Sequence, residues 1–357
     1  MATGLKITAS IRAIKYKPLL CRQLPVVGDD ELEKALSQHS SFLLKSADEA
    51  NLAVSWWVSP KRTRSYPYAR VYDTLGFVGK KVTVIPAIKD EGKDGDRDFL
   101  QWDTVSLMSL LGVYVIIGYY TDAKSSALYK HKITSQRFSM PEIRQKIGEL
   151  LSYQSDALHW NMSQVEHVGE IAAKALEAYK RISQTLGVEM HGNVTALKRI
   201  RELLKGKNEF MSLSRGLAEK AQKRESVTKQ PKEQLTGTKA TLTIKNYLGG
   251  YYFFTADEAW IQGKNLYLAE GKHARGVKLP SLGDIKDGLL KMMLFTNLER
   301  VTIEEHTYNP IAVLKLTTGP GFTKYQLSDN QAKLLDLLRQ EAKTNQFRIL
   351  LNNEFVT

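Results

Sequence analysis

The sequence predicts an α/β protein in more than one domain, on the strength of three observations. A chain of 357 residues with 43% hydrophobic content can bury one large core or two ordinary ones. The first half alternates between strand and helix patterns. A long, basic helical stretch then separates it from a second group of strands. We therefore expect an N-terminal α/β domain over 1–140, a helical bridge over 141–207 and a C-terminal domain over 208–357.

The charge and cysteine content narrow the class of protein. The net charge of +13 and the sequence pI near 9.5 favour an anionic, extended partner, with nucleic acid first and an acidic membrane surface second. Cys21 is the single cysteine, which excludes an internal disulfide and argues against a structural zinc site. The longest apolar run, 107–120, is too short to span a bilayer, so we expect a cytoplasmic protein that binds no membrane.

The first half reads as strand, helix, strand. Residues 51–58 (NLAVSWWV) and 82–88 (VTVIPAI) are rich in Val, Ile and Trp, as strands are. Residues 98–110 carry apolar side chains at helical spacing, and Gly112 leads into the continuously apolar run VYVIIGYY. Such a run is typical of a strand that is covered on both faces, which predicts an α/β layer.

Amphipathic helices dominate residues 141–228, and Gly187 is a plausible helix end. Residues 198–245 hold 13 Lys and Arg against 5 Glu, an excess of eight positive charges. One interpretation is a solvated helix face, which is the usual meaning of a charge run. The concentration of charge favours a surface that follows phosphates.

The second half begins after the polar break TKQPKEQLTGTK. Its pattern predicts three strands, a helix at 284–298, two further strands, a second helix with Ser328 and Gln331 in capping-box spacing, and a last strand. The expected strands are ATLTIKNY, YYFFTADEAWI, LYLAEGKH, IAVLKLTT, FTKYQL and FRILLNN.

Two of these strands form a candidate hairpin that carries charged residues. A two-residue turn at Gly263 and Lys264 suits a hairpin, because glycine adopts positive φ without strain. The pairs expected from this turn are Ile261 with Leu266, Ala259 with Leu268, and Asp257 with Glu270. Side chains alternate along a strand, so Lys272 lies on the same face as Glu270. An apolar face therefore ends in two carboxylates and a lysine.

Opposed carboxylates repel one another unless a cation lies between them. Mg²⁺ is commonly held by one or two protein carboxylates together with waters and phosphate oxygens. A lysine at the same place can orient water and stabilise charge on a phosphate, so the set Asp257, Glu270 and Lys272 suits phosphodiester hydrolysis. The alternative is a weak surface ion pair between Glu270 and Lys272. Glu258 is expected on the opposite face, as a surface acid.

The segment YYFFTADEAWIQGKNLYLAEGKH and the helix after it resemble the motif of the PD-(D/E)XK nucleases. The chain as a whole resembles a Type II restriction endonuclease, and the likeness is carried by roughly residues 208–300. The resemblance implies a mixed-sheet PD-(D/E)XK core, Asp257 and Glu270 as Mg²⁺ ligands, and Lys272 as the catalytic lysine. Ala256 stands where the family often has proline.

The resemblance also implies an activity and partners. It implies a site-specific deoxyribonuclease that cuts double-stranded DNA and leaves 5′-phosphate and 3′-hydroxyl ends. A palindromic target favours a homodimer, because each strand needs one hydrolytic site. A DNA methyltransferase is the expected functional partner of a restriction enzyme. A repair or structure-specific nuclease and a non-catalytic DNA-binding protein remain alternatives.

Further site residues are expected outside the hairpin. Many family members add a glutamate from the preceding helix, and Glu225 follows Leu217 and Ala221 at helical spacing. A solvent-exposed glutamate is the alternative. The expected DNA-contacting cations are Lys61, Arg62, Arg64, Arg215, Lys220, Lys223 and Arg224.

An acidic segment at 90–98 offers a rival site. It follows a strand and Lys89, but Ala87 stands where the acid of an acid-x-lysine triplet would be. Its carboxylates could bind a second cation or contact DNA bases, and Asp73 lies upstream. A structural or recognition role is the favoured interpretation.

Overall fold

The computed structural model describes residues 5–45, 51–60, 66–206, 208–216, 219, 238–246, 251–322 and 327–356. The chain divides into two compact units, one formed by Met1–Arg22 with Gly216–Thr357 and the other by Gln23–Arg215. This division differs from the three segments expected from the sequence in two ways. The N-terminal strand belongs to the sheet of the C-terminal unit, and the helices of 141–207 pack on strands from 23–140.

The unit Gln23–Arg215 contains a five-stranded sheet. Numbered after the N-terminal strand β1 (Leu5–Ile11), its strands in spatial order are β2 (Val26–Gly28), β3 (Ser41–Lys45), β4 (Asn51–Trp56), β5 (Lys80–Pro86) and β8 (Val113–Gly118). Strands β4, β5 and β8 run parallel, whereas β3 is antiparallel to β4. Val82, Val84, Val115 and Ile117 are fully buried, as a strand covered on both faces requires.

Two small antiparallel pairs and eight helices complete the described part of this unit. The pairs are β6 (Ile88–Asp90) with β7 (Arg97–Phe99) and β9 (Tyr120–Ser125) with β10 (Ile133–Phe138). The helices are α1 (Leu32–Gln38), α2 (Tyr66–Thr74), α3 (Trp102–Leu110), α4 (Met140–Ser152), α5 (Ala157–Glu166), α6 (Val168–Leu186), α7 (Asn193–Leu203) and α8 (residues 208–216), with a 3₁₀ turn at Asp29–Glu31.

The expected strand, helix, strand order of this unit is present, with shifted boundaries. Helix α3 begins at Trp102 because residues 97–99 form β7. The apolar run after Gly112 is divided into β8 and β9. Gly187 ends α6 with φ of 63°, which confirms the predicted helix end.

The other unit is built on one mixed sheet. Its further elements are β11 (Thr238–Asn246), β12 (Tyr251–Gln262), β13 (Asn265–His273), α9 (Leu282–Phe295), β14 (Glu299–Ile303), β15 (His306–Thr317), α10 (Asp329–Asn345), β16 (Arg348–Leu351) and β17 (Glu354–Phe355). The spatial order is β13-β12-β11-β1-β14-β15-β16-β17, and β13 also pairs with β15.

Strand direction in this sheet follows the connections. Strands β11, β12 and β13 form an antiparallel meander. Helix α9 precedes β15, which runs parallel to β13, and α10 connects β15 to the parallel strand β16. Strand β1 lies parallel to β11. The expected strand FTKYQL falls largely on residues 323–326, which lie outside the described residues.

Buried Glu341 on α10 holds the segment that follows β1. Its Oε1 accepts a hydrogen bond from the Tyr16 hydroxyl at 2.6 Å, and its Oε2 accepts from the backbone amides of Leu19 at 2.9 Å and Leu20 at 3.1 Å. These three donors satisfy the hydrogen-bonding capacity that a buried carboxylate needs. This contact and the pairing of β1 explain why residues 1–22 belong to the C-terminal unit.

Helix α9 packs closely on β13 and β15. A Cβ atom added at Gly288 would lie 2.7 Å from Leu314 Cδ1 and 3.3 Å from Lys272 Cε, so glycine allows the helix to approach the sheet. The described residues include no helix that is both long and apolar enough to cross a membrane.

Candidate active site

The hairpin of β12 and β13 has the register expected from the sequence. Gly263 occupies the turn with φ of 61°, and Ile261 pairs with Leu266 and Ala259 with Leu268. This part of the prediction is confirmed. The paired region ends at Glu258 and Ala269, one residue short of Asp257 and Glu270.

A β-bulge explains where the regular pairing stops. On β11 the register moves two residues, from Thr238 to Ala240, while its partners on β12 move three, from Ala259 to Ala256. The extra residue on β12 falls at Asp257 and Glu258. Asp257 Oδ2 accepts a hydrogen bond of 2.8 Å from the backbone amide of Gly271, the residue between Glu270 and Lys272. Asp257 is therefore held beside the acid-x-lysine triplet by a backbone contact.

Helix α9 brings two further charged residues to the same face. Asp287 and Lys291 are four positions apart, so they lie on one side of the helix. Lys272 Nζ lies 3.0 Å from Glu270 Oε1 and 2.7 Å from Asp287 Oδ2. Lys291 Nζ lies 2.6 Å from Glu270 Oε2 and donates to the Thr255 carbonyl at 3.2 Å. The result is a chain of alternating charges: Asp287, Lys272, Glu270 and Lys291.

Burial makes these charges strongly dependent on one another. Glu270 is only 4% exposed, and burial alone would raise its pKa. The adjacent ammonium groups of Lys291 and Lys272 outweigh burial and lower the pKa of Glu270 to about 2. Burial likewise works against the charge on Lys272, but Glu270 and Asp287 reverse that effect and raise the Lys272 pKa. Both groups are therefore charged at neutral pH.

Asp287 differs from Glu270 in its environment. Burial raises the pKa of Asp287, and Lys272 offsets that rise only in part. Its Oδ2 contacts Lys272, while Oδ1 is buried and has no hydrogen-bond partner among the described residues. An unsatisfied buried carboxylate oxygen is costly, which marks this position as one where a ligand or water would be stabilising.

The opposite face of the sheet carries a second buried ion pair. Lys315 Nζ lies 2.6 Å from Glu258 Oε1, and the two residues are 2% and 3% exposed. The expectation that Glu258 is a surface acid is wrong. Lys315 pairs with Gly271 across β13 and β15, which places it on the face that Glu258 shares with Ala269. The alternation of side chains thus separates this pair from Glu270 and Lys272.

Most of the other expected site residues lie outside the described ranges. Arg215 lies at the end of the described part of α8 and is exposed. The expected residues outside the described ranges are Lys61, Arg62, Arg64, Lys220, Lys223, Arg224 and Glu225. Their suggested roles stay predictions.

The acidic segment at 90–98 is largely neutralised from within its own unit. Fully buried Asp90 accepts hydrogen bonds from Arg97 Nε at 2.5 Å and Gly92 N at 2.9 Å, and its Oδ1 lies 2.7 Å from His191 Nδ1. Lys89 forms an ion pair with Glu91. These contacts favour the structural interpretation of this segment. Throughout the described ranges, no group of three or more His, Cys, Asp or Glu side chains is arranged to hold a metal ion.

Sequence reasoning missed Asp287 and Lys291. Their signal was present in DIKDGLLK, where an acid and a base lie one turn apart within an otherwise apolar helix that follows the triplet. Comparisons of the chain with protein-family models, curated proteins and solved structures found no match.

Proposed function

We propose that this protein is a Mg²⁺-dependent endonuclease that cleaves double-stranded DNA, with Asp257, Glu270 and Lys272 at its centre. One observation carries the proposal: buried Glu270 and Lys272 lie in contact on β13, and Asp257 of the neighbouring strand is hydrogen-bonded to the residue between them. Burying these charges has a cost that a surface ion pair does not carry, so a functional reason is favoured over the surface alternative.

The position of these residues in the sheet supports the resemblance to PD-(D/E)XK nucleases. In that family the aspartate lies on one strand and the acid-x-lysine triplet on the next. Asp257 on β12 and the triplet on β13 are neighbours in this way, within a mixed sheet. Strand β15 runs parallel to β13 after α9, so the strand with the triplet is interior to the sheet.

The donor set suits a magnesium ion. Asp257 and Glu270 would hold it, and two carboxylates are enough because waters and phosphate oxygens supply the remaining ligands. A set of two is compatible with the finding that, in the described part of the chain, no three His, Cys, Asp or Glu side chains are arranged to hold a metal ion. The buried Asp287 Oδ1, which lacks a hydrogen-bond partner there, adds an acceptor for a coordinated water. A bound Mg²⁺ would polarise the phosphoryl group and lower the pKa of water.

Lys272 acts in this proposal as a fixed cation. The adjacent Glu270 and Asp287 raise its pKa despite burial, which keeps the ammonium group charged at neutral pH. Its contacts with Glu270 and Asp287 fix the position of the charge. From that position Lys272 can donate a hydrogen bond to the attacking water or to a phosphate oxygen, and can stabilise the negative charge that develops.

The finer proposal is a Type II restriction enzyme. The net charge of +13 suits an extended polyanion, and the unit Gln23–Arg215 is large enough to contribute target recognition. A homodimer would place one hydrolytic site on each DNA strand, and a DNA methyltransferase would protect the host sequence. A repair nuclease would use the same chemistry on branches or ends.

A non-catalytic DNA-binding protein is the second candidate, favoured by one specific observation. Both carboxylate oxygens of Glu270 are in contact with lysines, Oε1 with Lys272 and Oε2 with Lys291. A cation must therefore compete with Lys291 for Glu270. If that competition always failed, the protein would bind DNA and leave it intact.

Digestion of plasmid DNA of known sequence separates these candidates. We expect discrete fragments with 5′-phosphate ends in Mg²⁺ and intact DNA in EDTA. Cleavage only at branches or free ends would replace restriction with repair. Binding without cleavage, in Mg²⁺ and in Mn²⁺, would contradict the nuclease proposal.

A further inference from the structure

We infer that Lys291 is an internal counter-ion that occupies Glu270 until a divalent cation and DNA arrive together, and so couples metal binding to DNA binding. The inference rests on the proposed function and adds a role for α9. It concerns the order of binding, whereas the proposed function concerns the reaction.

Glu270 is in contact with two lysines. The two oxygens of its carboxylate are divided between two lysines, with Lys272 on Oε1 at 3.0 Å and Lys291 on Oε2 at 2.6 Å. Lys272 is also held by Asp287 at 2.7 Å. Lys291 also donates a hydrogen bond to the carbonyl of Thr255 at 3.2 Å. Lys291 is therefore the cation that a metal at Oε2 would displace.

The side chain of Lys291 is more exposed than those of Glu270 and Asp287. The side chain of Lys291 is 21% exposed, compared with 5% for that of Glu270 and 8% for that of Asp287. A lysine side chain has four flexible carbons and a compact charge, so its ammonium group can move while the helix stays in place. Lys291 can leave Glu270 for another anion without unfolding α9.

The balance of charge around Glu270 links metal binding to DNA binding. The group contains three acidic side chains, Asp257, Glu270 and Asp287, and two basic ones, Lys272 and Lys291. A divalent cation placed beside both lysines would meet strong like-charge repulsion in a partly dry site. A DNA phosphate gives Lys291 a new anionic partner and removes that repulsion. Metal and DNA should consequently strengthen each other's binding, and such coupling is reciprocal.

The test measures Mn²⁺ binding by titration calorimetry on the full-length protein without DNA. We expect Lys291→Met to bind Mn²⁺ at least about tenfold more tightly than the wild type, since an adjacent positive charge lowers a carboxylate's affinity for a proton by about one to three powers of ten and should disfavour a metal ion on the same oxygen in the same way. Lys291→Arg keeps the positive charge and should bind Mn²⁺ as weakly as the wild type.

Three further variants exclude indirect effects. Lys278→Met removes a positive charge from an exposed position just before α9 and should leave Mn²⁺ affinity unchanged. Adding Glu270→Gln to Lys291→Met should abolish the gain in Mn²⁺ affinity. The carboxylate for which Lys291 and the metal compete is then absent. Circular dichroism and thermal melting check the fold, and Lys291→Gln offers a second neutral variant in which the same gain is expected.

The outcomes distinguish this inference from the proposed function. Equal Mn²⁺ affinity of the wild type and both neutral Lys291 variants, in folded protein, would overturn the role of Lys291. Mg²⁺-dependent cleavage by the wild type in that case would leave the proposed function standing. A wild type that cleaves no DNA would overturn the proposed function, whatever the Mn²⁺ affinities.

Discussion

Lys272 Nζ lies 2.7 Å from Asp287 Oδ2, and this contact joins the strand of the triplet to the helix that covers it. Asp287 thus holds the ammonium group together with Glu270. Without Asp287, the nearest carboxylate of Lys272 would be Glu270, two positions earlier on the same strand. The helix α9 is therefore part of the site as well as part of the core.

Asp287→Asn should weaken the reaction more than the fold. The substitution preserves shape and removes the charge of a carboxylate whose pKa burial raises, so the free energy of unfolding should change by no more than about 1 kcal/mol, the size of one net hydrogen bond. Cleavage should fall as the position of Lys272 becomes less well defined. Urea denaturation and plasmid cleavage measure the two effects. Asp284→Asn, at an exposed position on the first turn of α9, is the matched control.

Lys272→Met should abolish cleavage and leave DNA binding largely intact. The lost ammonium group stabilises the reacting phosphate, and removal of one such group lowers turnover by at least about 100-fold. Asp257→Ala should behave in the same way, because it removes a metal ligand. Cleavage assays and fluorescence anisotropy with labelled duplex report the two properties. Lys264→Met, in the exposed hairpin turn, should match the wild type. Normal cleavage by Lys272→Met would refute this site.

Glu270 should give the protein a distinctive acid sensitivity. Its pKa in the folded protein is about 2, below its ordinary value of 4.5, so the ionised form stabilises the fold at pH values above 4.5. That contribution, of order 3 kcal/mol from the size of the shift, is lost as the pH falls from 4.5 toward 2. Asp287 has a raised pKa and acts in the opposite sense, losing its contribution as the pH rises through that pKa. We therefore expect the stability difference between wild type and Glu270→Gln to shrink between pH 5 and pH 2, measured by urea denaturation. A constant difference would contradict the ion pairs of Glu270.

The local geometry of the hairpin could be predicted from the sequence because its rules are local. Gly263 fixes the turn, and the alternation of side chains then determines every pair up to Glu258. The bulge at Asp257 could not be predicted, because it depends on how β12 pairs with β11 on its other side. Its effect is to replace the expected pair with a hydrogen bond to Gly271.

The remaining differences arise from contacts between distant parts of the chain. Strand β1 pairs with β11 across more than 200 residues, and no local pattern at Leu5–Ile11 specifies that partner. Asp287 and Lys291 are identifiable as a one-turn pair, but the crossing of α9 over β13 decides which side chains they meet. Glu258 was misjudged for the same reason, since its partner Lys315 comes from a strand 57 residues later in the sequence.

Variants of Glu258 and Lys315 are a control that separates effects on stability from effects on DNA cleavage. They form a buried ion pair on the face opposite to Glu270. Lys315→Met should destabilise the fold by about 3–5 kcal/mol, because it leaves the buried charge of Glu258 uncompensated. The double variant Glu258→Leu with Lys315→Met replaces both charges by apolar groups and should recover most of that loss. Urea denaturation measures both variants. Because this pair lies on the opposite face of the sheet from Glu270 and Lys272, the double variant should cleave DNA at close to the wild-type rate. Loss of cleavage in a stable double variant would show that the second face contributes to the reaction, and recovery of stability with full activity would identify the pair as purely structural.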